Sequence, residues 1–205
     1  MNSKVAEGAS LLACAHHWAI KIALIVSAVL SFGMAPADAR PMRIVSLNLC
    51  SDQLLMRIAD RDQIASLSFF AGDPRFSLIV DEVGDIPLNH GLAEEVLALK
   101  PDLVLTGTYT AGYAVHHIRA QNIPVVSLAP AQTFKDIEDR ILQIGSVVGQ
   151  SQRAQSIVKK MRERLDVLAT QKPQQQLRVL SFASGGATIG KPSLFDAVIS
   201  HAGLI

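Results

Sequence analysis

The stretch that most constrains the fold is Gly91–Thr106, which reads GLAEEVLALKPDLVLT. Its first half has apolar residues at positions i, i+4 and i+7, the spacing of one helix face. These residues are Leu92, Val96 and Leu99. Glu94 and Glu95 fall in the first turn, where carboxylates complement the partial positive charge of unpaired N–H groups. The first half therefore predicts a short amphipathic helix.

The second half of the same stretch predicts a buried strand. Pro101 cannot continue the helix, and Lys100 before it is biased towards extended backbone. Leu103–Leu105 is a continuous apolar run, which is typical of a strand covered on both faces. A helix that leads into such a strand indicates a parallel sheet with crossover helices.

Other segments repeat this alternation of strand and helix. Short runs rich in β-branched residues predict three more strands, Arg43–Leu47, Ile64–Ser68 and Val125–Leu128. Ser51 is expected to cap a helix that continues to Ala59, and Ala111–Gln121 is predicted to be another helix. Thr133 and Asp136 have capping-box spacing at the start of a long helix. The sequence therefore predicts an α/β fold with a Rossmann-like parallel-sheet lobe over residues 40–150.

The remainder of the chain departs from this alternation. Ser151–Thr170 keeps helical spacing without a preceding strand, so residues 151–171 are predicted to form one long helix. A polar break, Lys172–Gln176, follows it. Arg178–Phe182 is predicted to be a strand and Ser193–Ala202 a helix, the beginning of a second α/β lobe over residues 177–205. A single βα unit cannot bury both faces of a sheet, so this second lobe is expected to be incomplete.

Residues 1–39 have the pattern of a secretory leader. Lys21 precedes an apolar core, Ile22–Met34, and Ala37–Ala39 offers a small-x-small cleavage site. We expect export through a signal peptide and a periplasmic location. Two alternatives stay open: a retained membrane anchor, for which the apolar core is short, and a lipoprotein modified at Cys14.

Composition excludes some classes of function. The whole chain has 19 Lys and Arg against 18 Asp and Glu, a net charge of +1, which gives no electrostatic footprint for nucleic acid. Once the leader is removed Cys50 is the one remaining cysteine, so no intramolecular disulfide is expected. No phosphate-binding glycine fingerprint and no catalytic constellation stands out, and we expect no enzyme.

Ligands of an open parallel sheet bind beyond the carboxyl ends of its strands. The candidate ligand-binding residues at those ends are Asn48, Cys50, Phe70, His90 and Tyr109. Phe69 and Phe70 are neighbours, and in extended chain one of them points into the core, so we choose Phe70 for the cleft. Aromatic faces in such a position suit a large planar ligand. A metal site needs several convergent His, Cys or carboxylate ligands, and the sequence supplies no such set.

Taken together, RIVSLNLCSDQLL, EEVLALKPDLVL, the Asn122–Pro124 segment before VVSL and the long helix resemble a known family. They are similar to substrate-binding proteins of ABC importers for cobalamin and ferric siderophores, nearest the vitamin B12 branch. The resemblance covers Met42 to Ile205 and implies two α/β lobes bridged by the long helix, with ligand between them. It also implies a monomer that holds a small molecule, without a cofactor of its own, and delivers it to an inner-membrane permease.

The resemblance assigns roles to two residues, and the sequence departs from some relatives at a third. It places Glu94 where the family docks onto the permease, and Phe70 where the family packs an aromatic ring on its ligand. Leu88 falls where some relatives carry a second aromatic. Relatives continue into a complete second lobe, so this chain is expected to lack part of the cleft.

Three readings of function stay open. The first is a binding component for a corrinoid, with a ferric siderophore or haem as alternative ligands. The second is a binding protein for bare metal ions, and the third is an enzyme on a Rossmann-like scaffold.

Overall fold

The computed structural model describes residues 40–171, 175 and 177–205. The predicted leader and most of the polar break at 172–176 lie outside the described residues. The described chain contains a parallel sheet in the order β3-β2-β1-β4-β5. Its strands are β1 (Ile44–Ser46), β2 (Ile64–Ser68), β3 (Leu88–Asn89), β4 (Leu103–Gly107) and β5 (Val125–Leu128). The parallel α/β fold is confirmed; β3 was missed because two residues are too short to show a pattern.

Seven helices accompany the strands in the described residues. They are α1 (Leu49–Ile58), α2 (Val80–Val83), α3 (Ala93–Ala98), α4 (Gly112–Ala120), α5 (Phe134–Val147), α6 (Ser151–Ala169) and α7 (Leu194–His201). Short 3-10 turns lie at Arg61–Gln63, Phe69–Gly72 and Ser184–Gly186. The predicted helices are present with ends that differ by one or two residues, apart from the start of α1. The four-residue α2 and the 3-10 turns were not predicted.

The sheet is covered on both faces, which explains its apolar strands. Ile44 belongs to one hydrophobic cluster with α1, α5 and α6, while the next residue, Val45, belongs to a second cluster with α3 and α4. In β4, Leu103 and Leu105 face the first cluster and Val104 faces the second. Alternate side chains of a strand point to opposite faces, so both faces must be apolar for the strand to be buried.

Helix α1 begins earlier than predicted. Asn48 is the N-cap, because its Oδ1 accepts a hydrogen bond from the Cys50 N–H at 2.9 Å. Ser51, which was expected to be the cap, is buried inside the first turn. Its hydroxyl donates to the Asn48 carbonyl at 2.8 Å and lies 2.8 Å from the Ser46 hydroxyl. Both residues are good capping types, but Asn48 has the extended backbone of an N-cap, while the Ser51 hydroxyl is hydrogen-bonded inside the helix.

Helix α3 corrects two expectations. Leu92 is the N-cap and is 55% exposed, so the buried face of α3 consists of Ala93 and Val96 rather than a stripe that includes Leu92. Lys100 adopts a left-handed backbone, φ 48°, instead of an extended one. The Arg43 guanidinium donates to the carbonyl of Leu99 at 2.6 and 2.9 Å. This contact gives a hydrogen-bond partner to a carbonyl at the C-terminal end of the helix.

Helices α5 and α6 pack closely as a hairpin. The predicted capping box of Thr133 and Asp136 is present at the start of α5. A Cβ added to Gly145 would lie 2.2 Å from the Ala154 side chain, so only glycine permits this approach. The Arg162 guanidinium on α6 donates to the Glu138 carboxylate on α5 at 2.7 Å. The long helix is therefore fixed to the sheet through α5.

The predicted strand at Arg178–Phe182 is not formed. This segment is largely exposed, and its contacts with residues 204–205 are the hydrogen bonds Val179 N–H to Ile205 O and Ile205 N–H to Leu177 O. No described strand lies beside it, and a β-strand forms only where a neighbouring strand pairs with its backbone N–H and C=O groups. Helix α7 is present with Ser193 as its N-cap. The division into lobes at 40–150, 151–171 and 177–205 stays a prediction.

Candidate functional site

The predicted site residues all follow strands at one edge of the sheet. Asn48 and Cys50 follow β1, Phe70 follows β2, His90 follows β3 and Tyr109 follows β4. Because the strands are parallel, these five positions lie along the same carboxyl edge. The structure divides them between a cavity and an aromatic cluster.

The cavity lies over β1, β4 and β5. It encloses about 590 Å³ and is lined by Asn48, Cys50 and Tyr109, together with residues that follow β5 and residues of α5. Tyr109 is 87% exposed and Cys50 is also exposed, so both side chains are accessible to a ligand. A volume of this size is within the range of small-molecule sites.

Asn48 shapes the cavity wall as well as lining it. Besides capping α1, its Nδ2 donates to the Thr110 hydroxyl at 2.9 Å. A Cβ on Gly107 would meet Asn48 Nδ2 and Thr110 Oγ1, each at 2.9 Å. The loop after β4 is thus held against the start of α1 by a residue that sequence reasoning selected only for ligand contact.

The aromatic cluster lies over β2 and β3 and consists of Phe69, Phe70, Phe76 and His90. The ring centroids of Phe69 and Phe70 are 3.9 Å apart, and the His90 ring stacks on Phe69 at 5.4 Å. Both Phe69 and Phe70 are 39% exposed, so the expectation that one of them is core was wrong. The pair lies in a 3-10 turn, not in extended chain, and neighbouring side chains there do not point to opposite sides.

His90 is oriented by Glu95 from the first turn of α3. The Glu95 carboxylate accepts the His90 backbone N–H at 2.7 Å, and its other oxygen lies 3.2 Å from Nδ1 of the ring. The backbone N–H, followed by the ring, lowers the pKa of Glu95. The neighbouring Glu94 is exposed and has no ion pair within the described residues. The two adjacent glutamates therefore have different roles in the structure.

A buried polar network supports the site, and sequence reasoning missed it. Asp52 is fully buried in the first turn of α1 and accepts hydrogen bonds from the backbone N–H of Ser68, at 3.1 Å, and from its hydroxyl. Burial raises the pKa of Asp52 to about 6, although hydrogen bonds from Ser46 and Ser68 oppose that rise. Asp52 joins the helix beneath the cavity to the residue that precedes Phe69.

Asn89 completes this network between the strand ends. Its Nδ2 lies 3.0 Å from the Ser46 carbonyl and 2.8 Å from both the Ser66 hydroxyl and the Leu67 carbonyl. The signal in the sequence was a set of serines inside otherwise apolar strands. Buried hydroxyls need partners, so these serines could have indicated a polar network.

Three further features bear on the chemistry of the site. Among the described residues no group of three or more His, Cys, Asp or Glu side chains is arranged to hold a metal ion. Within the same part of the chain no helix is both long enough and apolar enough to span a membrane. A second cavity, of about 410 Å³, lies between α5 and α6. It includes no residue that follows a strand, so we place the site at the carboxyl edge.

Comparison with known proteins assigns the family. The model of the periplasmic binding protein family matches residues 44–204. The chain belongs to this family. The chain is also 28% identical, over 128 residues, to an uncharacterized ABC transporter substrate-binding lipoprotein, YvrC, of Bacillus subtilis (strain 168). That match covers 61% of the present chain and 40% of the Bacillus protein.

Two solved structures share the fold of this chain. The periplasmic heme binding protein HutB of Vibrio cholerae has a TM-score of 0.68 and 21% identity, with 80% of this chain and 65% of that chain covered. The periplasmic vitamin B12 binding protein BtuF of Vibrio cholerae has a TM-score of 0.62 and 20% identity, with 81% and 66% covered. The chain therefore spans between two fifths and two thirds of the length of these relatives.

Proposed function

We propose that this chain is the solute-binding component of an ABC importer and captures a large, metal-containing organic ligand outside the cytoplasm. The observation that carries the proposal is the family match, which extends across the whole sheet and both parts of the candidate site. The ligand class comprises corrinoids, haem and ferric siderophores. A protein of this kind binds and releases its ligand without changing it chemically. We therefore propose a role in binding and delivery and not in catalysis.

The geometry of the carboxyl edge supports a large ligand. The aromatic cluster presents exposed ring faces beside β2 and β3, and the cavity occupies the other half of the same edge. A planar macrocycle or a bulky chelate can contact ring faces on one side and enter a cavity on the other. The resemblance favours a corrinoid, while haem and ferric siderophores are equally compatible with the family.

Glu94 is the proposed contact with the permease. It is exposed on α3 and unpaired among the described residues, whereas Glu95 is committed to His90. An unpaired surface carboxylate retains its charge for a cationic partner, because no internal cation competes for it. A single charged contact at the rim of an interface acts mainly on association, so its loss leaves the ligand site intact.

Calorimetric titration of the purified chain with cyanocobalamin, haemin and ferric siderophores tests the proposal. Because the chain spans only part of its relatives, the titration is made on the chain alone and on the chain extended with a relative's second lobe. We expect one of these three classes to bind the extended form with a Kd of about 1 μM or tighter and the chain alone weakly or not at all. Binding of none of them by either form contradicts the proposed function. In cells, Glu94→Lys is expected to lower uptake of the bound ligand while its Kd stays unchanged. Glu163→Lys on α6, which reverses an exposed acid paired with Lys159, is the control for the change of charge, and equal uptake by both variants would remove Glu94 from the proposal.

A further inference from the structure

The cavity has one charged side chain in its lining, Arg140 of α5. The other described lining residues are apolar or neutral, among them Cys50, Gln53 and Ile137. No carboxylate lines the cavity within the described part of the chain. An arginine cannot lose its charge at physiological pH, so the cavity presents a permanent positive charge to whatever enters it.

The guanidinium of Arg140 is held in place but not neutralised. Its Nε donates to the Ala129 carbonyl, just beyond β5, at 3.0 Å. Its two terminal nitrogens have no hydrogen-bond partner and no ion pair within 4 Å among residues 40–171, 175 and 177–205. One half of the fork is fixed by the protein, and the other half remains available to a ligand.

The nearby carboxylate of Asp136 is hydrogen-bonded to backbone groups at the start of α5. Its Oδ2 accepts the backbone N–H groups of Gln132 and Thr133, both at 2.9 Å, as part of the cap of α5. These N–H groups and the Thr133 hydroxyl lower the pKa of Asp136, and Arg140 makes the smallest contribution. Asp136 therefore does not pair with the terminal nitrogens of Arg140, which remain available to an anionic group of a ligand.

We infer that the cavity recognises an anionic carboxylate of the ligand through Arg140, which narrows the ligand class to metal complexes that carry free carboxylates. This inference rests on the proposed function. A planar guanidinium with two free nitrogens matches the geometry of a carboxylate. Haem carries two propionates, and ferric carboxylate siderophores carry several such groups. Cobalamin carries neutral amides on its corrin ring, and its one anionic group is a phosphodiester, so it offers Arg140 no carboxylate.

One matched pair of probes and a second pair that contrasts in charge test the inference on the whole chain. Haemin and its dimethyl ester differ only in the two carboxylates, and ferric citrate and ferrichrome represent an anionic and a neutral iron complex. We expect the wild type to bind the acidic member of one pair about 10- to 100-fold more tightly than the neutral member, the range for charge-assisted hydrogen bonds. The pair that shows the difference identifies the source of the carboxylate.

Three variants complete the experiment. Arg140→Gln is expected to lose the preference within the pair and to bind the neutral probe as the wild type does. Arg140→Lys is expected to recover part of the preference, since it retains the charge without the fork. Arg119→Gln on α4 removes the same charge outside the cavity lining and should behave as the wild type.

The outcomes separate this inference from the proposed function. If the wild type bound cyanocobalamin or ferrichrome at least as tightly as the acidic probes, and Arg140→Gln changed the affinity for none of them, the proposed function would stand and the role of Arg140 would be overturned. An equal loss for acid and ester in Arg140→Gln would show a structural effect and would also overturn it. Binding of no probe by the wild type, either alone or extended with a relative's second lobe, would overturn the proposed function, and the inference with it.

Discussion

Two segments of this chain have nearly the same pattern and different structures. Residues 43–47 read RIVSL, and residues 178–182 read RVLSF. The first contains β1, whose Ile44 and Val45 are fully buried between β2 and β4. The second is not a strand, and its Leu180 and Phe182 are 78% and 75% exposed. A strand pattern specifies a strand only where neighbours complete its hydrogen bonds and cover its faces.

The same contrast holds for the two regions as a whole. Both hydrophobic clusters of the described residues lie between residues 44 and 158, and no residue of 177–205 is buried. Because burial of apolar area is the main stabilising term, the free energy of unfolding should depend on the first region and hardly on the second. Paired substitutions, one in each region, test that difference.

The largest effect is expected for a leucine of the sheet. Leu105 is fully buried in β4, so Leu105→Ala should lower the free energy of unfolding by about 2–5 kcal/mol. Leu180→Ala makes the same chemical change at an exposed position and should stay within about 0.5 kcal/mol of the wild type. Urea unfolding followed by circular dichroism measures both values. A loss of stability in Leu180→Ala similar to that in Leu105→Ala would contradict the contrast between the regions.

The second pair consists of acids in the first turn of a helix, Asp52 in α1 and Asp196 in α7. Burial raises the pKa of Asp52 to about 6, so the folded state holds this proton more tightly than the unfolded state, whose pKa is near 3.8. The stability that the bound proton provides is present below pH 4 and is lost as the pH rises towards 6. The loss is on the order of 3 kcal/mol.

Unfolding in urea at several pH values between 4 and 7 measures this effect. The difference in stability between the wild type and Asp52→Asn should change across the window, because asparagine does not titrate. Other carboxylates have lowered pKa values and act in the opposite direction, but they are common to both proteins and cancel in the difference. Asp196→Asn is the control for removing a first-turn carboxylate, and its global stability should stay near that of the wild type because α7 has no buried residue. A constant difference for Asp52→Asn would contradict the buried proton.

Local pattern predicted much of the fold, and contacts distant in sequence decided the rest. Ile64–Ser68 and Val125–Leu128 were predicted with the bounds that the structure gives, because short runs rich in β-branched residues between turn residues have a clear strand signal. The prediction of a strand at 178–182 was wrong, because the pattern of one segment does not show whether another strand lies beside it. The two-residue β3 has too little sequence to carry a signal.

The candidate site shows the same limit. Topology alone places Asn48, Phe70 and Tyr109 at one edge, since parallel strands share their carboxyl ends. The buried Asp52 was missed because an acid in a first helical turn is usually an exposed partner of the helix dipole. Arg140 was missed because its position in the cavity depends on how α5 packs after β5. Whether the predicted residues contact a ligand stays a prediction.

The smallest expected effect comes from two equivalent helix caps. The Thr133 hydroxyl accepts the Asp136 N–H at 3.0 Å in α5, and the Ser193 hydroxyl accepts the Asp196 N–H at 3.1 Å in α7. Thr133→Ala should lower the global free energy of unfolding by about 1 kcal/mol, because α5 packs on the core through Ile141 and Ile144. Ser193→Ala removes a similar hydrogen bond from a helix without a buried residue.

Hydrogen exchange distinguishes the two results. In Ser193→Ala the amides of α7 should exchange faster while the urea midpoint stays unchanged, since local opening of α7 does not require the sheet to unfold. In Thr133→Ala the slowest amides of the sheet should lose protection together with the global stability. If Ser193→Ala lowered the urea midpoint as much as Thr133→Ala, α7 would unfold cooperatively with the sheet. The two regions would then form one folding unit despite their difference in burial.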